Sequence, residues 1–152
     1  MTRLLAGLAP AAAGLALLAG CGGSSEAAPK GNPGQVMKSV VKHELSGDRE
    51  VSYQMLVREQ RDAVDAALYK RCSPGPSMEE TDVKVGIVGV HDEEISVPGL
   101  GKTKTKAVSY LIDFHDGTEP IRSTGHLIAQ DGKWRWTLSP ASFDSLSGGS
   151  CP

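Results

Sequence analysis

An α+β domain is predicted for this chain, and three observations predict it. Apolar residues recur at helical spacing through its first half, strict alternation takes over in its second half, and two Asp-Gly pairs punctuate the alternating part. Helices first, then consecutive antiparallel strands, is the order in which helices cover one face of a single sheet. Asn32-Pro33 opens the first helix, since Asn caps and Pro loses nothing at the first helical position. Val36, Met37, Val40, Val41 and Leu45 follow at helical spacing, and Gly47 ends the segment. Asp48 is placed to cap a short second helix through Val51, Met55 and Leu56. Residues 58–71 then read as one helix, with Val64, Ala67 and Leu68 on one side, and Ser73-Pro74-Gly75-Pro76 stops it.

From Asp82 onward the period is two. Val83, Val85 and Ile87 alternate with Lys84 and Gly86 in a half-buried strand that ends near His91. Residues 102–115 form a long strand on which Val108, Tyr110, Ile112 and Phe114 share a side. Asp116-Gly117 turns the chain into a strand over 118–130, interrupted early by Pro120 as an edge or a bulge would be. Asp131-Gly132 makes the next turn, after which Trp134, Trp136 and Leu138 share a face.

The first twenty residues carry a separate signal. Arg3 is their only charge, and the leucines around it form a run shorter than the about 20 apolar residues of a membrane span. Gly7, Pro10 and Gly14 break that run, which therefore reads as a signal peptide. Leu18-Ala19-Gly20-Cys21 resembles the lipobox of bacterial lipoproteins. The resemblance implies cleavage before Cys21, diacylglycerol on its thiol, and a domain tethered to the outer side of a cell membrane, because two or more acyl chains anchor stably. The chain then divides into a signal peptide (1–20), a small polar tether (21–32) bearing the lipidated Cys21, a folded domain (33–140) and a C-terminal tail (141–152).

Sixteen basic residues stand against eighteen acidic ones, a net charge of −2. Such a mildly acidic chain has no electrostatic reason to seek nucleic acid. Lys102, Lys104 and Lys106 lie on one side of a strand and read as a solvated face that discourages edge pairing. If lipid consumes Cys21, Cys72 and Cys151 are left to each other, and export favours a disulfide between them over two free thiols. Closing that loop contributes roughly 4 kcal/mol in the chain-entropy account. Neither cysteine has the neighbours of a zinc or redox site.

Three stretches together resemble the NTF2-like (cystatin-like cone) superfamily, in particular small lipoproteins of high-GC Gram-positive bacteria. They are the opening helix running into Ser46-Gly47-Asp48, the segment from Arg61-Asp62-Ala63-Val64 to Tyr69-Lys70-Arg71-Cys72, and the closing hairpin from His126 through Asp131-Gly132-Lys133-Trp134 to Trp136. The resemblance covers nearly all of residues 33–140. It implies helices packed in the concave face of a curved antiparallel sheet, around a cone bounded by some of Tyr110, Ile112, Phe114, Trp134 and Trp136, with core packing against the helices as the competing reading of the two tryptophans. Members of this superfamily bind ligands or partners, often as homodimers, and some are isomerases or cyclases.

An isomerase of the ketosteroid type needs a carboxylate base in an apolar cavity. Asp113, His115 and His126 are the titratable candidates here, but Asp113 alternates away from Tyr110 and Phe114, and His115 sits at a turn. No catalytic motif of the superfamily matches residue by residue. Gly99-Leu100-Gly101-Lys102-Thr103 resembles a P-loop, yet Ser96 stands where its first glycine belongs and no strand–loop–helix unit surrounds it. His91-Asp92-Glu93-Glu94 lacks the spacing of a calcium loop and reads as a solvated turn. The expectation is a membrane-anchored, extracytoplasmic binding module without catalysis, cofactor or metal, taking a small apolar ligand in the cone or an envelope protein on the sheet. The alternative is a ketosteroid-isomerase-like (SnoaL-type) enzyme with a buried carboxylate or His in the cone.

Overall fold

Helix α1 (Pro33–Ser46) forms where the capping signals place it. Asn32 Oδ1 accepts from the amides of Gly34 (2.8 Å) and Gln35 (3.4 Å), and Gly47 closes the helix in the left-handed region at φ 78°. The structure, a computed structural model, describes residues 29–72 and 83–152. The signal peptide, Cys21 with most of the tether, and the stop at 73–76 lie outside the described residues.

Helix α2 (Arg49–Gln54) follows directly, but Asp48 makes no side-chain cap to it. Its Oδ2 lies 3.2 Å from His43 Nδ1, so the carboxylate serves the end of α1 instead. The segment expected as one helix over 58–71 is two: α3 (Arg58–Ala63) and α4 (Ala66–Arg71). Val64 is extended and buried at the break, and Asp65 caps α4 by accepting from Leu68 N at 2.6 Å. A local cap plus a buried β-branched residue outweighs helical periodicity there.

The strands are β1 (Lys84–Val97), β2 (Gly101–Asp113), β3 (Ile121–Gln130) and β4 (Lys133–Trp136), paired antiparallel in sequence order among the described residues. β1 runs well past His91, because Asp92, Glu93 and Glu94 oppose Lys106, Thr105 and Lys104 across the ladder. Lys106 meets Asp92 and Lys102 meets Glu94, each at 2.7 Å, so the acidic turn and the basic stripe of the sequence are partners. Opposite charges facing one another across a ladder support pairing where no apolar face does. The outer side of β4 is covered: Lys30 N donates to Gly132 O, and Trp136 exchanges backbone bonds with Met55 and Val57.

The fold class is thus α+β with an open antiparallel sheet. α1 lies on one sheet face, where Met37, Val40 and Val41 pack on Val85, Val108 and Leu127. Each such side chain, moved out of water, contributes about 1.5–3 kcal/mol. A second cluster joins the helices to the chain end: Tyr53, Leu56, Val64, Leu68 and Tyr69 close around Leu138 and Leu146. Leu146 belongs to α5 (Pro140–Ser147), a helix inside the segment read as a tail, started by Ser139 Oγ accepting from Ser142 N. Cys72 and Cys151 are joined by an S–S bond of 2.03 Å, which holds α5 against α4.

Candidate functional site

The two sheet faces are furnished differently. Opposed residues on neighbouring strands share a face, and faces alternate along each strand. Val108, Tyr110 and Ile112 of β2, Leu127 of β3, and Trp134 and Trp136 of β4 all face α1. The indoles are tied down there: Trp136 Nε1 donates to Ser52 O at 2.7 Å, and Trp134 Nε1 donates to Gly31 O at 3.0 Å. Met37 fills the space over Gly125, where an added Cβ would stand 2.5 Å from its methyl carbon. The structure brings four of the five expected cone residues together, yet against α1 and its apolar face. Phe114 follows the end of β2 and is half-buried.

The opposite face carries the opening that the sequence reading missed. A cleft of about 520 Å³ is lined by Arg58, Leu100, Thr103, Ile128, Ala129, Gln130 and Asp131. Ile128 forms its floor from a small cluster with Val57 and Val97, against which Leu100 packs. The rim is polar and braced. Gln130 Oε1 accepts from Arg58 N and Gln130 Nε2 donates to Glu59 Oε2, both at 2.9 Å. That bond from Gln130 is the main reason the Glu59 carboxyl sits below its ordinary acidity range, against a smaller opposing effect of burial. Arg58 lies 3.9 Å from Asp131 and 3.7 Å from Glu59, so the rim presents one guanidinium between two carboxylates.

Gln60 positions the cleft's other wall. It is fully buried, donating to Pro98 O at 3.2 Å and accepting from Leu138 N at 2.8 Å. Gly99, in the tip that Gln60 holds, has φ 83° and lies against Glu59, where a Cβ would stand 3.4 Å from that side chain. The glycine-rich stretch that resembles a P-loop is therefore the β1–β2 turn, shaped to lie on α3. Sequence alone gave no signal for the cleft, because its lining comes from a helix start, a hairpin tip and a strand end.

A second polar cluster is satisfied from within except at Arg49 Nε, which is buried without a hydrogen-bond partner among the described residues. Glu44 takes Arg49 at 2.5 Å and the hydroxyls of Ser52 and Tyr69, and Arg49 donates to Cys72 O. The guanidinium also lies over the Tyr69 ring, 4.8 Å from its centroid. Burial, then the Glu44 charge, pushes the Tyr69 phenol far above its ordinary value, so it stays neutral. This cluster fixes α1, α2 and α4 to one another.

Of the titratable candidates of the sequence, Asp113 and His115 stay side by side, and His126 lies apart from them. Asp113 Oδ1 accepts from His115 N at 3.0 Å, and His115, at φ 54°, is exposed in the turn. His126 lies across the sheet, 3.1 Å from Glu93 Oε2 on the face away from α1. Among the described residues no group of three or more His, Cys, Asp or Glu is placed to hold a metal ion. No described helix is long and apolar enough to cross a membrane. Comparison with known proteins returns no matching family model, no similar curated protein and no similar solved structure.

Proposed function

We propose that this chain is a lipid-anchored, extracytoplasmic binding module of NTF2-like type that takes a segment of an envelope protein in the cleft on the sheet face away from α1. One observation carries the reading: the α1 side is occupied by Met37, Val40 and Val41, whereas the opposite face has an apolar floor with a braced polar rim. Recognition sites commonly combine an apolar base with a few oriented polar groups. Ile128 and Leu100 would take an apolar side chain, and Arg58 and Gln130 would fix its flanking backbone or carboxylate. The helices-then-meander order supports the NTF2-like assignment, and Cys21 in its lipobox-like setting supports the anchor.

A catalytic reading has less to stand on. Among the described residues, the carboxylates whose acidity departs from the ordinary value, Glu50, Glu59 and Asp116, are shifted down, chiefly by side-chain hydrogen bonds. That makes them weaker bases, the reverse of what proton abstraction at neutral pH asks for. A photo-crosslinking residue at Leu100 tests the proposal in intact cells. The expected result is a discrete adduct of protein size, absent when the same residue replaces exposed Val51. Absence of any adduct from Leu100, or equal adducts from both positions, overturns it.

A further inference from the structure

The cleft stands at the end of the sheet where the chain enters the fold. Lys30 N donates to Gly132 O, and Lys30 pairs in parallel with Lys133. The chain therefore arrives from the Asp131-Gly132 turn and runs alongside β4 away from it. Asp131 belongs to the rim of the cleft, and Ile128, Ala129 and Gln130 are the last residues of β3 before that turn. Arg58, whose amide donates to Gln130, completes the same rim. β3 is ten residues long, so its Ile121 end lies about 30 Å from Gln130. The cleft and the point of attachment share one pole.

Tether length turns that placement into a distance. Lys30 is the ninth residue after Cys21. Nine residues span at most about 30 Å when fully extended. With Cys21 acylated, Lys30 and the rim beside it are held near the bilayer whichever way the domain turns, whereas the Ile121 end is not so confined. A partner confined to the same bilayer is then presented to the cleft at a raised effective concentration, and a partner free in solution gains nothing from the tether.

We propose that the segment taken by the cleft is the juxtamembrane stretch of an integral membrane protein, on the same side of the bilayer as the anchor. The inference rests on the anchor and the binding cleft proposed above, and names the partner that their common position selects. The chemistry of the cleft agrees. Residues flanking a membrane span are enriched in tryptophan and tyrosine, whose rings have an apolar body and a polar tip. Ile128 and Leu100 offer the floor for such a ring, and Arg58 and Gln130 stand at the rim for its polar tip and backbone.

The test varies the height of the cleft in intact cells, with the photo-crosslinking residue at Leu100. The reference chain carries a protease site between Ala28 and Pro29. A second chain adds about 40 residues of helical Glu-Ala-Ala-Ala-Lys repeats there, which lift the cleft by about 60 Å. A third adds the same length of Gly/Ser coil, which can fold back. The reference chain is expected to form one adduct, the helical spacer to lower its yield at least tenfold, and the Gly/Ser spacer to keep several-fold more than the helical one. Protease treatment of isolated membranes should release the free domain and leave the adduct in the pellet through an alkaline wash. Undiminished adduct with the helical spacer, equal loss with both spacers, or an adduct that the protease releases overturns the inference and leaves the cleft as a binding site. No adduct from the reference chain overturns the cleft reading itself, and a reference chain outside the membrane fraction overturns the anchor and the inference with it.

Discussion

The face of the sheet that meets α1 and the face that meets the hairpin tip belong to the same four-stranded sheet, yet they are furnished differently. On the α1 side, Met37 presses onto Gly125 and the two tryptophans are hydrogen-bonded into place. On the other side, a small buried cluster of Val57, Val97 and Ile128 carries Ile95 and Leu100 packed on it, and Gln60 is spent on holding a turn. One face has buried its apolar surface for stability; the other keeps an apolar floor open behind a polar rim. The difference teaches that aromatic residues on a strand mark the packed face here, and that the cleft on the other face is built from residues with weaker sequence signals.

Substitutions should separate the two faces, the largest effects falling on the closed side. Cys151→Ser is expected to cost about 4 kcal/mol, because it frees a loop whose ends are 79 residues apart, read as a lower denaturation midpoint under oxidising conditions. Met37→Ala, at a side chain only 2% exposed, should cost about 3 kcal/mol in the same measurement. On the open face, Thr103→Ala should change stability by no more than about 0.5 kcal/mol. Comparable losses at Met37 and Thr103 would erase the distinction.

Alkaline pH sharpens the comparison from within the closed side. The folded Tyr69 phenol titrates above its ordinary value of 10.0, so the stability it brings is complete below pH 10 and is lost as pH rises toward the folded value. Denaturation midpoints should therefore fall above pH 10, and Tyr69→Phe should flatten that fall. A midpoint with the same slope in both proteins would show that other groups govern it.

Much of the closed side was legible in advance, for local reasons. Asn32-Pro33 and Gly47 delimit α1 because caps act within one turn, and Tyr110, Ile112, Trp134 and Trp136 share a face because strand alternation is geometric. The break at Val64 was not legible: helical spacing persists through it, and only burial of Val64 together with the Asp65 cap decides the backbone. The extension of β1 beyond His91 escaped too, since its charges look like a turn until Lys102 and Lys106 stand opposite. Ser139-Pro140 carried the same start signal as Asn32-Pro33, and α5 could have been read from it. The cleft was beyond reach, because Arg58, Leu100 and Ile128 meet only once the hairpin has folded over α3.

Smaller effects refine the picture. Asn32→Ala should cost about 1 kcal/mol by uncapping α1, seen as a modest drop in midpoint with unchanged helix content at low temperature. Leu100→Asp should leave the midpoint within about 1 kcal/mol of the parent while abolishing the crosslink expected from the cleft. A large loss of stability there would mean that Leu100 belongs to the core and not to a binding surface.

Native mass spectrometry of the chain purified from its own membranes tests most directly whether the open face does the binding. A polypeptide retained on the chain, lost with Leu100→Asp and kept with Trp134→Phe, is the predicted result. A small apolar molecule that co-purifies, survives Leu100→Asp and is lost on Trp134→Phe would place binding under α1 and contradict it.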